Sequence, residues 1–271
     1  MKIVFLGGGN MATALIGGML ATGFEPESIT VIERASDAGA RLAERFGIRV
    51  VAEAAQAGLP ADALVLAVKP QQMKEAVADL AGRLGGTLVV SIAAGLRATD
   101  IARWLGDHRR LVRCMPNTPA LIGAGITGLF ADPSVDADGR ALAERLLQAV
   151  GATVWVDDEA AIDAVTAISG SGPAYVFHFI EALEAAAGAF GFDAATARKL
   201  AIDTVLGAAR LAADSDEAPA TLRERVTSKG GTTAAALEVM RQRDLMGLVA
   251  AATEAAERRG RELGVELGGE A

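Results

Sequence analysis

The stretch KIVFLGGGNMATALIGG, residues 2–18, decides the fold of the first half of the chain. It starts with a short apolar run, typical of a buried strand, and three glycines follow directly before a segment of helical character. The pattern G-x-G-x-x-A runs from Gly7 to Ala12 and is typical of a dinucleotide-binding turn. Gly7 would permit the tight turn, and Gly9 would let the backbone approach a pyrophosphate. We call residues 7–12 the N-terminal glycine loop.

Further apolar runs continue this pattern up to about residue 157. After KIVFL, the predicted strands are SITVIE, DALVLAV, TLVVSIAA and RLVRCMP, with GITGLF and ATVWV as closing strands. Helical spacing is found between them, in residues 11–22, 37–45, 73–81 and 99–105. Strands that alternate with helices need crossover connections, which give parallel pairing. We therefore predict an α/β fold over residues 1–157, with a Rossmann-type, doubly wound, mostly parallel sheet.

Residues 158–271 differ in composition and pattern, with almost no strand signal and much Ala, Leu, Glu and Arg. Residues 160–190 read as one long helix that Pro173 kinks or breaks, and Asp193 is the predicted N-cap of the next helix. The segment 168–180 is apolar on nearly every face, so it needs cover from several sides. We predict an all-helical C-terminal domain that forms a homodimer.

The composition excludes several classes of partner. The chain carries 26 Lys and Arg against 34 Asp and Glu, a net charge of −8, and no basic stripe, which argues against nucleic acid. Cys114 is the only cysteine and His108 and His178 are the only histidines, so we expect no disulfide and no metal site. No uninterrupted apolar stretch approaches the length of a membrane span. We expect a cytoplasmic protein without a membrane partner.

Several residues at the ends of the first strands are candidates for binding the dinucleotide. Glu33 and Arg34 follow the second strand and point to different cofactors. A carboxylate would hydrogen-bond a ribose 2′-OH and favour NAD, whereas a guanidinium would pair with a 2′-phosphate and favour NADP. The residues leave both open. The remaining candidates lie after strands in LGGGNMA, AVKP and SIAAG: Leu6, Gly7, Gly9, Asn10, Met11, Ala67, Val68, Lys69, Pro70, Ala93 and Ala94.

A second glycine-containing loop lies far from the first, in VTSKGGTTAAAL, residues 226–237. Glycines and hydroxyl residues before a helix-forming run present backbone N–H groups at a helix start, where an anion is easily held. We call residues 226–233 the C-terminal glycine loop. The sequence therefore predicts two separate anion sites.

Five motifs in order, GGGNMA, AVKP, MPNTPA, SGSGPAY and VTSKGGTTAAAL, resemble the pyrroline-5-carboxylate reductase family nearly end to end. The resemblance implies a Rossmann domain and a helical domain that interlocks with its twin, with further assembly into rings of dimers. It also implies reduction of the cyclic imine 1-pyrroline-5-carboxylate to L-proline by NADPH, with NADH as the alternative cofactor.

The resemblance assigns roles to the C-terminal glycine loop. It implies that the substrate carboxylate is held by Ser228, Gly230, Gly231, Thr232 and Thr233, and that the Thr233 hydroxyl reaches the ring nitrogen. The alternative for Thr233 is a purely structural hydroxyl at the helix start.

The chain also departs from the family pattern near this loop. Lys229 stands where the family commonly has Pro, and we expect it to face solvent. Asp216 or Glu217 could supply an acidic residue beside the substrate, although a solvated turn is favoured there. Arg225 occupies a position near the cofactor in relatives.

Other interpretations remain at this point. Other imine reductases share the fold, and so do hydroxyacid dehydrogenases, which generally use a lysine in the linking helix, whereas residues 158–189 contain no lysine. A dinucleotide-binding protein without turnover is a further alternative. We expect His178 to be a core or interface residue, His108 to be an exposed loop residue, and Cys114 to pack as a small apolar group.

Overall fold

The protein's structure is a computed structural model, in which residues 1–269 are described. It divides into two compact units. The first consists of Met1–Ser171 together with the C-terminal segment from Ala255, and the second of Gly172–Glu254. These units differ from the predicted division after residue 157 because residues 158–171 and the end of the chain pack with the first unit.

The first unit is built on one eight-stranded sheet. Its strands are β1 Ile3–Leu6, β2 Ile29–Ile32, β3 Arg49–Val51, β4 Ala63–Leu66, β5 Leu88–Ser91, β6 Leu111–Met115, β7 Gly125–Ala131 and β8 Gly151–Trp155. Their order across the sheet is β3-β2-β1-β4-β5-β6-β7-β8, and all neighbours are parallel except β6 and β7. The predicted Rossmann-type, mostly parallel sheet is confirmed, with one strand, β3, that the sequence did not reveal.

The strand sequences explain why the sheet is covered on both faces. Every residue of β1, β2, β4 and β5 is buried, as expected for parallel strands between two layers of helices. Along β1, Ile3 and Phe5 belong to one apolar cluster and Val4 and Leu6 to the other. The helices of this unit are α1 Asn10–Ala21, α2 Ser36–Phe46, α3 Met73–Val77, α4 Ala98–Trp104, α5 Ala137–Gln148 and α6 Ala161–Val165.

The strand order reverses at β1, which lies between β2 and β4. Leu6 at the end of β1 is in register with Ile32 of β2 and Leu66 of β4. The loops that follow these three strands therefore leave the sheet at the same edge. In open α/β sheets this reversal forms the crevice in which ligands bind.

The second unit is helical, as predicted. It contains α7 Gly172–Ala189, α8 Ala194–Ala213, α9 Pro219–Arg225, α10 Thr232–Gln242 and the first part of α11, Leu245–Gly268. The apolar run that could have been one helix is interrupted: a π-helical turn, Thr166–Gly170, follows α6, and Pro173 lies in the first turn of α7. Asp193 is the N-cap of α8, and its Oδ1 accepts a hydrogen bond of 2.9 Å from Thr196 N.

The second unit has almost no interior of its own. Among its described residues only Ala197 and Ala201 are buried. Large apolar side chains are exposed instead, including Phe177 at 61%, Phe190 at 83% and Met246 at 83%. A helical surface this apolar is typical of an interface.

The last turns of α11, which belong to the first unit, pack on the rest of that unit through glycines. Gly264 and Gly268 are buried. A Cβ at Gly264 would lie 2.8 Å from Gly95 O, and one at Gly268 would lie 2.1 Å from Asp100 Oδ2. Arg103 Nη2 donates to Gly268 O at 3.0 Å. Only residues without a side chain allow the helix to come this close.

No helix among residues 1–269 combines the length and the apolar character needed to cross a bilayer. Within the same range, no group of three or more His, Cys, Asp and Glu side chains is arranged to hold a metal ion. The cytoplasmic location stays a prediction.

Candidate functional site

The N-terminal glycine loop connects β1 to α1 through a turn that requires glycine. Gly7 has a φ of 96°, and its N–H donates to Ile32 O at 2.9 Å. A Cβ at Gly7 would lie 2.8 Å from Val68 Cγ1 and 3.0 Å from Ala67 O. Both the positive φ and the close approach to the end of β4 exclude a side chain at this position.

Gly9 leaves open space in front of helix α1. It is the N-cap of the helix, no side chain caps the first turn, and that turn contains no acidic residue. A Cβ at Gly9 would meet no atom within 4 Å. The first N–H groups of a helix have no partner within the helix and carry partial positive charge. The loop therefore fits the pyrophosphate of a dinucleotide.

Glu33 ties the glycine loop to the end of β2. Its Oε2 accepts from Gly8 N and its Oε1 accepts from Ala35 N, each at 2.9 Å. A Cβ at Gly8 would lie 2.3 Å from Leu42 Cδ1, so the loop is also pressed against α2. Each carboxylate oxygen keeps a lone pair that could accept a ribose hydroxyl. The sequence did not predict the bracing contacts, because they depend on the turn after β2.

A cavity of about 250 Å³ opens beside this loop, with Leu6, Ile32 and Val68 among its lining residues. Arg34 also lines it, and Arg34 Nη1 lies 3.5 Å from Glu75 Oε1. Both side chains are largely exposed, at 67% and 83%. The cavity lies where the strand order reverses, as expected for the adenosine end of a dinucleotide.

The other predicted cofactor residues also lie at this edge of the sheet. Ala67 N donates to Leu6 O at 2.9 Å, and Lys69 precedes a short 3₁₀ turn that starts at Pro70. After β5, Ala93 is buried and Ala94 is exposed. The loops after β1, β2, β4 and β5 thus bring the predicted residues of the first unit to one side of the sheet.

The motif MPNTPA is joined to SGSGP by a buried asparagine that the site prediction did not include. Asn117 Nδ2 donates to Ser169 O at 3.1 Å, and Asn117 Oδ1 accepts from Ile126 N at 3.0 Å. A Cβ at Gly170 would lie 2.6 Å from Met115 Cε. The π-helical turn before α7 is therefore held against the end of β6, and such turns are frequent at functional sites.

A neutral cluster of four charged side chains joins the same strand, β6, to the segment around α6. Arg113 and Asp163 are almost fully buried and pair at 3.3 Å. Arg113 also pairs with Glu159 at 3.1 Å, and Arg97 pairs with Asp163 at 2.6 Å. Buried charges need such partners, because an unpaired charge is strongly destabilising. The cluster links β6 to α6 and to the start of α4.

The C-terminal glycine loop lies in the second unit and leads into α10. Gly230 has a φ of 73°, and Gly231 N donates to Ser228 O at 3.0 Å. Gly231 is the N-cap of α10, with no side-chain cap and no acidic residue in the first turn. The backbone N–H groups at the start of α10 are thus without a side-chain cap, as in the N-terminal glycine loop. Thr233 is half-buried, while Ser228 and Thr232 are exposed.

The charged residues near this loop are placed as follows. Lys229 is exposed, as expected. Arg225 donates to the Glu217 carboxylate. Glu217, one of the two predicted acidic candidates for a substrate contact, therefore already has a partner within the unit. Asp216 is exposed in the turn before α9.

The histidines and the cysteine take no part in either loop. His108 is half-buried, and its Nε2 lies 2.8 Å from Thr87 O, so the expectation of an exposed loop residue is wrong. The His178 side chain is 86% exposed and lies 3.1 Å from Glu181, so it is not a core residue of this unit. Cys114 is buried, and burial raises the pKa of its thiol, which makes it unreactive.

Comparisons with known proteins match both halves of the chain. The family model described as pyrroline-5-carboxylate reductase dimerisation matches residues 159–263, so homo-oligomerisation is a property of this half. The model described as NADP oxidoreductase, coenzyme F420-dependent, matches residues 2–95. The pyrroline-5-carboxylate reductase of Pseudomonas aeruginosa is 46% identical over 268 residues, which cover 98% of each chain.

Solved structures agree with this. A pyrroline-5-carboxylate reductase from Coxiella burnetii has a TM-score of 0.91 and 43% identity, over 97% of this chain and 98% of its own. The Plasmodium falciparum pyrroline carboxylate reductase with NADP bound has a TM-score of 0.85 and 26% identity, with the same coverage. The chain therefore belongs to the pyrroline-5-carboxylate reductase family.

Proposed function

We propose that this chain reduces 1-pyrroline-5-carboxylate to L-proline and that its two glycine loops hold the two anions of the reaction. The N-terminal glycine loop holds the pyrophosphate of NADPH, or of NADH as the alternative, and the C-terminal glycine loop holds the substrate carboxylate. The observation that carries the second assignment is the uncapped start of α10 behind Gly231. A helix start without a side-chain cap or an acidic residue is suited to a carboxylate.

The bound NAD(P)H supplies the hydride that the imine carbon accepts. The protein has little further chemistry to perform, because a protonated C=N bond accepts hydride readily, and orientation supplies most of the effect. Backbone N–H groups at Thr232 and Thr233 orient the carboxylate, and the Ser228 hydroxyl adds a further donor. Gly230 and Gly231 shape the turn, in which Gly231 N already donates to Ser228 O. Dipole and hydrogen bonds together stabilise the bound anion by about 1–3 kcal/mol.

Thr233 acts on the ring nitrogen in this proposal. Thr233 is half-buried in the first turn of α10, whereas Thr232 is exposed. The hydroxyl forms a hydrogen bond to the ring nitrogen as the imine becomes an amine. Its role is to orient the substrate, since a threonine hydroxyl does not titrate near neutral pH.

The proposed assembly is a homodimer through the C-terminal helices, with rings of dimers as the larger form. The exposed apolar side chains of α7 and α11, which include Phe177 and Met246, support the dimer. A second copy of the same surface is the simplest cover for them.

Two competitive ligands test the substrate assignment without turnover. Cyclopentanecarboxylate keeps the ring and the carboxylate but lacks the nitrogen, and pyrrolidine keeps the nitrogen but lacks the carboxylate. We expect cyclopentanecarboxylate to bind the NADP⁺-loaded enzyme at least about tenfold more tightly than pyrrolidine, because the loop holds the carboxylate. Equal affinity for the two ligands, measured by calorimetry, would contradict the proposal that the C-terminal glycine loop binds the substrate carboxylate.

A further inference from the structure

The cavity beside the N-terminal glycine loop is unusually acidic for a site that would hold a phosphate. Among its described lining residues Arg34 is the single cation, whereas Glu53, Glu75 and Asp79 are acidic. Glu33, which precedes Arg34 in the chain, does not line the cavity, and its carboxylate is held by the N–H groups of Gly8 and Ala35. The 2′-phosphate that distinguishes NADPH from NADH adds about 1.5–2 negative charges. Of the described residues that line the cavity, Arg34 alone offers this phosphate an opposite charge.

Arg34 is already engaged in this cavity. Its Nη1 lies 3.5 Å from Glu75 Oε1, on the first turns of α3. Both side chains of the pair are exposed, so the ion pair contributes little to stability, and Arg34 can readily take another anionic partner. A phosphate can form two parallel charge-assisted bonds with a guanidinium and so offers Arg34 a stronger partner. NADPH must nevertheless displace Glu75, whereas NADH, which has no 2′-phosphate, does not.

We propose that Glu75 sets the cofactor preference of this enzyme, because it competes with the 2′-phosphate of NADPH for Arg34. The proposal rests on the dinucleotide site described above and adds a specificity residue to it. Glu75 weakens the binding of NADPH and leaves that of NADH nearly unchanged. The enzyme therefore accepts NADH more readily than it would with a neutral residue at this position.

The test measures dissociation constants for NADPH and NADH by nicotinamide fluorescence, with no imine present. In Glu75→Gln we expect NADPH to bind about three- to fivefold more tightly and NADH to change by less than about twofold. Glu53→Gln is the matched control, because it removes the same charge from the same cavity but does not contact Arg34. Glu53→Gln should change the ratio of the dissociation constants for NADPH and NADH less than Glu75→Gln does.

Arg34→Gln completes the experiment. It should weaken NADPH binding by at least about tenfold. In the double variant with Glu75→Gln, the second substitution should then have no selective effect on NADPH binding. An unchanged affinity ratio in Glu75→Gln, or an equal shift in Glu53→Gln, overturns the proposal while the reductase assignment stands. If the folded wild-type protein binds neither dinucleotide, both the proposal and the proposed cofactor site fail.

Discussion

Gly9 and Gly231 occupy the same structural position, the N-cap, in two different helices, α1 and α10. Each is the N-cap of a helix that has no side-chain cap and no acid in its first turn. Serine, threonine, aspartate or asparagine would ordinarily occupy an N-cap and satisfy the free N–H groups. Helices α1 and α10 lack this stabilisation, which leaves N–H groups at their starts available for ligands. The proposed function therefore depends on single residues that leave a helix start uncapped.

Thr233 gives the sharpest test at this scale. We expect Thr233→Ala to lower kcat/KM for 1-pyrroline-5-carboxylate by about ten- to a hundredfold, because the hydrogen bond to the ring nitrogen is lost. Thr233→Ser is the matched control and should keep most of the activity, since it retains the hydroxyl. Steady-state NADPH consumption measures both. Wild-type kcat/KM in Thr233→Ala would show that the hydroxyl is structural.

At the scale of elements, helix α8 depends on its cap. Hydrogen bonds from Thr196, first from its backbone N–H and then from its hydroxyl, lower the pKa of Asp193 below its ordinary value of 3.8. A lowered folded pKa means that the carboxylate stabilises the fold above pH 3.8 and that this contribution is lost as the pH falls through the folded pKa.

We therefore expect Asp193→Asn to keep the cap near neutral pH but to lose stability less steeply than the wild type on acidification. Asp193→Ala should be less stable at neutral pH as well, because no acceptor remains for Thr196 N. Urea unfolding between pH 3 and pH 7 measures both variants. A wild-type acid profile in Asp193→Asn would contradict this role.

The glycines at the end of α11 provide a second test of an element. A Cβ at Gly264 would press on the carbonyl of Gly95, whereas the nearest atom to a Cβ at Gly260 is Asp163 Cβ at 4.0 Å. We expect Gly264→Ala to detach the end of α11, with faster hydrogen exchange in residues 95–100 and 261–268. Gly260→Ala, one turn earlier on the same helix, should be neutral or slightly stabilising, because alanine favours the helix. Similar exchange in the two variants would contradict the packing described.

The sequence predicted the elements that carry strong local signals. The glycine turn after β1, the parallel strands and the Asp193 cap all have short-range causes that are visible in the residues. Strand β3 was missed because it has only three residues at the edge of the sheet, starts with an exposed Arg49 and lacks a buried run.

Contacts between distant segments were beyond the reach of the sequence. The pairing of Arg113 with Asp163, the bridge from Asn117 to Ser169 and the glycine contacts of α11 join residues far apart in the chain. Charge, amide and glycine identities alone do not say which partner each residue finds. For the same reason Glu33 was predicted as a ribose ligand, and its bracing of Gly8 was not foreseen.

At the scale of the whole molecule, the helical unit needs cover that it does not supply itself. We expect light scattering to give a mass of at least two chains at micromolar concentration. Phe177 is 61% exposed on α7, and Phe177→Asp should weaken the assembly by placing a charge among apolar side chains. Phe177→Leu is the conservative control and should assemble normally. A monomeric wild-type protein would contradict the proposed dimer.

Two imines that differ only in the carboxylate test the proposed function most directly. NADPH consumption is measured with 1-pyrroline-5-carboxylate and with 1-pyrroline, the same ring without the acid group. We predict turnover with the first and a kcat/KM at least about tenfold lower with the second, because the C-terminal glycine loop holds the carboxylate. Equal kcat/KM for both imines would contradict carboxylate binding by the C-terminal glycine loop. No turnover of 1-pyrroline-5-carboxylate by folded protein that binds NADPH would contradict the proposed reductase activity.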